Sequence, residues 1–567
     1  MVASFLLSST LVPVLSVWLQ RGHNGGATHA DAFKRLAAGY ASLLKPLVSA
    51  RGLVLLVYVG LVAAAFYFIA PKVGTELFPK VDAGQIQLRL RASPGTPLEK
   101  TEAIALRVLE LIQREAGADK VAMSIGLVGV HAQTYPINLI YQWNAGTQEG
   151  VLQVQFKNGA VRVEPLKEKL RAVFEAELPD VQVSFEPSDI VERVMSFGAP
   201  TPIEIAVQGQ SLAVSREFAE KLRGRLAKIP ALRDLQYSQV LDYPTLDVNI
   251  NRERAGLLGV KMADATKSLI ASTASSRFTV PNYWADPNSG IAFAVQIQVP
   301  QGRVNTIEEF KNTTITTAGG KATLLRNIAN ISEGTAPQTF ERYNLARVVS
   351  LTANIHGSDL GAVSKEIRRA LAEAGAPPAK TSVAVRGQIV PMEDMFNGLR
   401  SGLLLAIAVV FLLLAANFQS VRLSLVVMST VPAVLAGVVL TLWLTGTTLN
   451  IQSFMGTIMA VGVAVANAIL LVTFAERARL AANASAASAA VEGAATRLRP
   501  ILMTSCAMMA GMLPLALGLS DGGDQTAPRG CGQRREKLGA RRNNRSKRWK
   551  TTRSEPGATC GQPLAAP

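Results

Sequence analysis

Charged residues are distributed so that long apolar stretches alternate with one long mixed region. Stretches without Asp, Glu, Lys or Arg cover residues 1–20, 52–71, 401–421, 423–475 and 500–520. About 20 residues are enough to cross the apolar core of a bilayer, so each stretch predicts a membrane span. The stretch 423–475 is long enough for two spans, divided at the polar sequence TGTTLN. The pattern therefore predicts six spans.

The charges between these stretches predict an orientation. Basic residues predominate in segments 21–51 and 476–499, and cytoplasmic loops carry an excess of Lys and Arg. We therefore expect both segments in the cytoplasm and residues 72–399 on the opposite side. A signal peptide is the alternative for residues 1–20, but their charge follows the apolar run instead of preceding it, which favours a span.

The region between residues 72 and 399 has the mixed pattern of a soluble domain, and two similar units follow one another in it. An alternating strand at 85–93 begins a strand-helix-strand-strand-helix-strand order that ends at 187. This is the order of a ferredoxin-like unit. A second such unit spans 202–387, and we expect a long insertion after its third strand, TLDVNIN.

Composition excludes several classes of function. The chain has 49% hydrophobic residues and a mean hydropathy of +0.24, which agrees with membrane insertion. Its 3 cysteines all lie after residue 505 and its 4 histidines are scattered, so neither a disulfide framework nor a zinc site is predicted. No nucleotide-binding loop or catalytic motif is present. We therefore expect neither an enzyme nor a cofactor.

Several segments together resemble a known family. They are FYFIAPKVGTELFPKVDAGQIQLRLRASPGTPLEKTE (66–102), FLLLAANFQSVRLSLVVMSTVPAVLAGV (411–438), GVAVANAILLVTFAE (462–476) and RLRPILMTS (497–505). In this order they resemble the C-terminal half of a resistance-nodulation-division (RND) efflux permease, near the multidrug or acriflavine-resistance branch. The resemblance covers about residues 1–528.

The resemblance implies an α+β membrane protein: a transmembrane helix bundle plus periplasmic ferredoxin-like porter subdomains with an inserted docking subdomain. The implied domains are a span ending the N-terminal half (1–20), a cytoplasmic linker (21–51), a span (52–71), the periplasmic porter and docking domain (72–399), four spans (400–520) and a basic tail (521–567). The family's first half would be missing, so we expect the chain to be incomplete and inactive alone.

The implied function is proton-driven export of amphiphilic or drug-like small molecules through the bacterial inner membrane. The implied partners are a periplasmic adaptor protein, an outer-membrane channel and the other subunits of a homotrimer. The alternative is a non-transporting, membrane-anchored protein whose periplasmic domain serves binding or assembly.

Polar residues in two predicted spans match the family's proton path. Asn467, Arg497 and Thr504 correspond to relay positions, and the seven-residue spacing of Arg497 and Thr504 places them on one helical face. The lysine that usually precedes the asparagine is replaced by Ala466. The alternative role for Asn467 is hydrogen bonding between helices, supported by small residues at four-residue spacing: Gly456, Ala460, Ala464 and Ala468.

The segment 129–146 falls where the family has substrate-pocket residues. His131, Tyr135, Tyr141 and Trp143 offer aromatic faces to an amphiphile, and packing is the equally weighted alternative. Met392 and Met395 resemble the soft ligands of metal exporters, but packing is the favoured interpretation. No metal site is predicted.

The tail after residue 528 departs from the family. It is strongly basic and lacks apolar periodicity, so we expect disorder. A basic run also fits a nucleic-acid or anionic-lipid arm, but the composition changes in the middle of a motif. A reading-frame shift explains this change better, and we expect no nucleic-acid partner.

Overall fold

The computed structural model describes residues 10, 11, 13–15, 18, 28–78, 84–130, 144–157, 159–188, 190–276, 279–300, 306–317, 320–482 and 485–516. The chain divides into two compact units. The helical unit comprises Met1–Asp82, Ile355–Arg369 and Gln388–Pro567, and the sheet unit comprises Ala83–Asn354 and Ala370–Gly387. Most of the predicted first span and the tail after residue 516 lie outside the described residues.

The helical unit begins with helices α1 (Thr28–Ser49) and α2 (Arg51–Ala64). Helix α2 continues through a π-helical turn, Ala65–Ile69, and a 3-10 turn, Ala70–Lys72. Together they make an apolar segment long enough to cross a membrane. Pro71 has no amide hydrogen to donate, which is consistent with the end of the helix at this point.

The first repeat of the sheet unit follows the predicted order. Its elements are β1 (Gln85–Arg91), α3 (Leu98–Ala116), β2 (Val121–Val128), β3 (Glu149–Phe156), α4 (Val163–Glu177) and β4 (Gln182–Glu186). The strands form an antiparallel sheet in the order β2-β3-β1-β4. Alternate residues of β1, such as Ile86 and Leu88, enter one apolar core with Leu111 and Leu170 of the helices. A short helix α5 (Ile190–Met195) follows.

The second repeat opens with β5 (Ile203–Gly209), α6 (Leu212–Leu226) and β6 (Leu232–Tyr237). An insertion then begins, and the predicted position of its start is wrong. The strand expected to be third in this repeat is β7 (Tyr243–Ile250), which pairs with a strand of the insertion. An alternating sequence predicts a strand but does not identify its partner, and this partner lies far along the chain.

The insertion contains three small antiparallel pairs. Its further elements are α7 (Arg252–Leu257), α8 (Met262–Thr273), β8 (Asn282–Ala285), β9 (Ala292–Val295), α9 (Ile307–Lys311), β10 (Thr314–Thr316), β11 (Ala322–Leu324), α10 (Leu325–Ile328), β12 (Ala329–Ala336) and β13 (Arg342–Tyr343). Strand β12 pairs with β7, β8 with β9, and β10 with β11. A separate apolar cluster that includes Phe310 and Leu325 forms its core.

The second repeat closes with β14 (Ala346–Ile355), α11 (Leu360–Ala374) and β15 (Thr381–Gly387). Strand β14 pairs with β5 and β6, and β5 also pairs with β15. The order β6-β14-β5-β15 repeats the arrangement of the first sheet. The short β13 lies on β14 as an added edge.

The remaining helices are α12 (Ile389–Phe418), α13 (Val421–Met428), α14 (Thr430–Thr445), α15 (Ile451–Ala482) and α16 (Ala486–Ala516). Four segments are long and apolar enough to cross a membrane: Arg51–Lys72, Ile389–Phe418, Val421–Thr445 and Ile451–Leu480. Six were predicted. Helix α16, which carries the predicted span at 500–520, is not among the four.

The segment Val421–Thr445 is interrupted at Ser429, between α13 and α14. Pro432 explains the break, because its ring leaves no amide for the carbonyl four residues earlier and clashes with it. The Tyr58 hydroxyl of α2 donates to the Ser429 carbonyl at 2.5 Å. Valines of three helices, including Val427, Val431 and Val465, form the buried contact in this unit.

Candidate functional site

The three predicted relay residues do not form a connected group. Asn467 lies in α15 and is partly buried, Arg497 is partly buried in α16, and Thr504 is exposed. The Thr504 hydroxyl donates to the Ile501 carbonyl of its own helix at 3.0 Å. Within the described part of the chain, no hydrogen bond joins these three side chains. Their proposed roles thus rest on the family resemblance.

Arg497 instead contacts an aromatic ring. Its guanidinium carbon lies 3.3 Å from the centroid of the Phe474 ring, an attractive cation–π geometry. Its Nε is buried without a hydrogen-bond partner. One turn earlier, a Cβ added to Gly493 would lie 3.0 Å from the backbone of Ala475. Helices α15 and α16 therefore approach closely here, and a larger residue at this glycine would separate them.

The predicted stripe of small residues is not the packed face of α15 along its length. A Cβ added to Gly456 would meet nothing within 4 Å. The buried residues of this helix are instead Phe454, Thr457, Val461, Val465 and Val472, and Ala468 packs against the valines. Branched side chains fill the space between these helices, so small residues are not needed there for a close backbone approach.

The aromatic substrate candidates cannot be placed. His131, Tyr135, Tyr141 and Trp143 all lie outside the described residues. Met392 is 3% exposed within α12, in agreement with packing. Among the residues that the structure describes, no group of three or more His, Cys, Asp or Glu could hold a metal ion.

The chemically distinctive site is a buried polar face on the first sheet. Ile86, Leu88 and Leu90 of β1 enter the apolar core, so the alternate residues point to the opposite face. These are Gln87, Arg89 and Arg91, and each is less than a tenth exposed. Buried charged side chains are stable only when they are paired and hydrogen-bonded, so the partners on this face determine its properties.

Glu149, at the start of β3, lies between the two arginines. Its Oε1 accepts from Arg89 Nη2 at 2.9 Å and from Arg91 Nε at 2.7 Å. Its Oε2 accepts from the Ala145 amide at 2.7 Å. Burial raises the pKa of Glu149, but the two guanidiniums and the amide outweigh burial and lower it below its usual value. Glu149 is therefore a permanently charged partner of the arginines at neutral pH.

The arginines extend this network to the second repeat. Arg91 donates to the carbonyls of Tyr237 at 3.0 Å and Ser238 at 2.6 Å, at the end of β6. Arg89 also donates to Ser238, at 3.1 Å. Burial and the neighbouring Arg89 lower the pKa of Arg91 to about 10. It remains charged at neutral pH and joins the two repeats through charge-assisted hydrogen bonds.

The pKa of a second acid on the same face is shifted in the opposite direction. Glu186 of β4 is fully buried, and its Oε2 accepts from Gln87 Nε2 at 2.6 Å. Its Oε1 has no partner. The side-chain oxygen of Gln87, Oε1, accepts from Gln153 Nε2 at 2.7 Å and from Arg193 Nη2. Burial raises the pKa of Glu186 from 4.5 to about 6, although Arg89, Gln87 and Arg193 oppose this. Glu186 therefore takes up a proton as the pH falls through about 6.

A cleft of about 640 Å³ lies beside this face, between the two repeats. Its walls include Arg91 and Gln182 of the first repeat and Arg216, Tyr237 and Asp242 of the second. Arg216 and Asp242 form two hydrogen bonds, each of 2.7 Å. The cleft is thus lined by polar and charged groups together with apolar residues such as Leu235 and Val240.

The sequence profile of the AcrB/AcrD/AcrF family matches residues 1–532 of this chain. This chain belongs to the AcrB/AcrD/AcrF family. The family comprises RND efflux permeases. This agrees with the apolar helices and mixed sheets described above.

Curated members of the AcrB/AcrD/AcrF family align along most of the chain. Protein HelA of Legionella pneumophila is 25% identical over 545 residues, covering 93% of this chain and 50% of HelA. Cobalt-zinc-cadmium resistance protein CzcA of Cupriavidus metallidurans is 24% identical over 470 residues, covering 81% of this chain and 43% of CzcA. Multidrug resistance protein MdtC of Yersinia pestis is 24% identical over 539 residues, 93% of this chain and 50% of MdtC.

A crystal structure of a heavy metal efflux pump superposes with a TM-score of 0.74 at 25% identity, covering 88% of this chain and 49% of the pump. The chain spans about half the length of the relatives it matches. The similar proteins named here include both metal and multidrug transporters, so similarity alone does not assign a substrate.

Sequence analysis missed the buried acids Glu149 and Glu186. The alternation in QIQLRLRAS predicts one buried and one solvated face, whereas both faces of β1 are buried. The sequence does contain one signal for a buried acid: Arg89 and Arg91 lie two residues apart on the polar side of β1. If another part of the chain covers that side, the two guanidiniums need a carboxylate partner.

Proposed function

We propose that this chain forms part of a proton-driven efflux transporter in the bacterial inner membrane. The helical unit supplies membrane spans, and the sheet unit supplies a polar passage for the cargo. Membership of the AcrB/AcrD/AcrF family supports the transport function. The finer assignment, a porter formed by the two repeats with the insertion as a docking part, follows the family resemblance and the two-repeat topology.

One observation supports the proposal that this chain and a second half of the transporter have different roles in proton transport. The stretches 52–71, 401–421, 423–475 and 500–516 contain no Asp, Glu, Lys, Arg or His. Proton transport through a membrane needs groups that change charge. Arg497 lies outside these stretches, and Asn467 and Thr504 have no ionisable group and can only pass or orient hydrogen bonds. We infer that the titrating carboxylates come from a second half of the transporter.

The cargo that we propose is an amphiphilic or drug-like small molecule. The polar cleft suits the hydrogen-bonding part of such a molecule. The aromatic residues His131, Tyr135, Tyr141 and Trp143 stay candidates for its apolar part. A periplasmic adaptor, an outer-membrane channel and a homotrimeric assembly are the partners that the resemblance suggests.

Reconstitution into liposomes tests this proposal. The purified full chain is inserted into vesicles that contain a pH-sensitive dye, a pH gradient is imposed, and internal pH and a fluorescent amphiphile are followed. We expect both signals to match those of empty vesicles. Adding a co-expressed second half of an RND permease from the same genome should produce proton-dependent movement of the amphiphile.

Two results would contradict the proposal. Proton-dependent movement by the chain alone would mean that its own residues carry the proton. Silence after the second half assembles with the chain, with assembly verified by co-purification, would argue against transport. In the active assembly, Asn467→Leu should slow transport, whereas Gly456→Ala, on an open face of the same helix, should not.

A further inference from the structure

Residues Gly74–Leu77, here called the strap, follow the membrane segment that begins with α2. They contact two other pieces of the helical unit. One is the loop between α14 and α15, residues 446–450, and the other is the beginning of α11. Neither contact is local in the chain, so the strap joins three distant segments.

The strap pairs with the loop like a short parallel sheet. The Leu449 amide donates to the Gly74 carbonyl at 2.8 Å, and the Glu76 amide donates to the Leu449 carbonyl at 3.0 Å. The Thr448 hydroxyl donates to a Glu76 carboxylate oxygen at 3.1 Å. Leu77 is 4% exposed, which keeps water from one end of this pairing. The loop is thus held by both backbone and side-chain bonds.

The opposite edge of the strap holds the beginning of α11. The Thr75 amide donates to Asp359 Oδ2 at 2.9 Å, and the Gly361 amide donates back to the Thr75 carbonyl at 3.0 Å. The same oxygen of Asp359 accepts from the Ala362 amide at 3.0 Å and so caps the helix. One carboxylate therefore serves the helix and the strap together.

Two glycines make this fit close. A Cβ on Gly74 would lie 2.7 Å from the carboxyl carbon of Asp359, and a Cβ on Gly361 would lie 1.8 Å from the Thr75 hydroxyl oxygen. Neither distance is compatible with a side chain unless the Asp359 or Thr75 side chain moves. The two glycines therefore leave the space that these side chains occupy between the strap and α11.

The beginning of α11 is also tied to a membrane helix. Glu393, in the second turn of α12, accepts from the Ser364 hydroxyl at 2.8 Å and from Arg368 Nε at 3.2 Å. Helix α11 thus has two attachments to the helical unit, at its N-terminus and along its first half. Its last turn, after Arg369, belongs to the sheet unit.

We propose that the strap is a mechanical latch that makes the α14–α15 loop and the start of α11 move as one body. A displacement of α14 or α15 in the membrane then reaches α11 through Leu449, Thr75 and Asp359. The strap thus couples these segments within the helical unit. This inference concerns coupling within the chain and does not depend on the cargo or on the proton carrier.

Hydrogen exchange of the full chain in lipid nanodiscs, read by mass spectrometry, tests the latch from both sides. Asp359→Ala removes the two helix-side bonds that the carboxylate accepts, from the Thr75 and Ala362 amides. We expect exchange to rise roughly tenfold both at the start of α11 and at residues 448–451 across the strap. Thr448→Val removes a loop-side bond and leaves the helix cap intact. It should also raise exchange at Gly361 and Ala362.

Asp286→Ala is the matched control, because Asp286 also accepts from two backbone amides, in the exposed β8–β9 turn. It should leave both regions unchanged. The latch is overturned if each variant loosens only its own side, since the two segments would then open independently. If Asp359→Ala fails to fold, Thr448→Val alone decides between these outcomes.

Discussion

Replacing Glu186 by glutamine tests the electrostatic state of the buried polar face. The carboxyl is fully buried, accepts one hydrogen bond from Gln87 and leaves its other oxygen without a partner. Glutamine has the same shape and an oxygen that can accept from Gln87, but it does not ionise. The substitution therefore removes the charge and retains the packing.

The expected magnitude follows from the pKa. Burial raises the pKa of Glu186 from 4.5 to about 6, so the folded state holds the proton more tightly than the unfolded state. This tighter binding of the proton adds to the free energy of unfolding. The added free energy is fully present below pH 4.5 and is lost as the pH rises through 6. Each pKa unit corresponds to about 1.4 kcal/mol, so the charged carboxylate disfavours the fold by about 2 kcal/mol above pH 7.

Hydrogen exchange of β1 and β4 provides the assay, after correction for the pH dependence of the chemical exchange rate. Between pH 5 and pH 7.5 the wild-type protection should fall by about tenfold relative to Glu186→Gln, in which this dependence is absent. Equal pH dependence in the two proteins would show that the carboxyl is solvated or already ionised. Protection that rises with pH only in the wild type would reverse the sign and refute the argument.

Further predictions concern two ion-pair sites and one helix–helix contact. Glu149→Gln leaves two buried guanidiniums without a carboxylate and should cost about 3–5 kcal/mol at neutral pH, an effect that fades as the pH falls through the lowered pKa of Glu149. Asp242→Asn, in an exposed ion pair, should cost about 1 kcal/mol or less, and chemical denaturation measures both of these losses. Gly493→Val should separate α15 from α16 and cost about 1–3 kcal/mol in thermal unfolding, whereas Gly511→Val, with open space around it, should change stability less.

Most of the fold follows from periodicity in the sequence. The first repeat was predicted within a few residues, because its strands alternate and its helices carry a continuous apolar face. The insertion point was wrong because the alternation of β7 fits either sheet. The interruption of the helix at Ser429 has a local cause, Pro432. A prediction from the length of the apolar stretch alone misses this interruption.

The candidate site was predicted less well. The relay positions Asn467, Arg497 and Thr504 came from the family resemblance, and their geometry does not connect them. The acids Glu149 and Glu186 were missed because burial of a polar strand face depends on what covers it. Here the second repeat and residues distant in the chain supply that cover, and no pattern within β1 encodes them.

The buried polar face also limits how the two repeats can separate. Arg89 and Arg91 share the Glu149 carboxylate within the first repeat, and both also donate to carbonyls at the end of β6. Widening the cleft at this edge would leave buried guanidinium donors unpaired unless water or cargo replaced the carbonyls, and unpaired charged donors are costly. A small molecule with oxygen acceptors in place of these carbonyls would offset that cost, whereas a purely apolar molecule would not. The bonds from Arg89 and Arg91 to the end of β6 therefore hold the two repeats together at this edge.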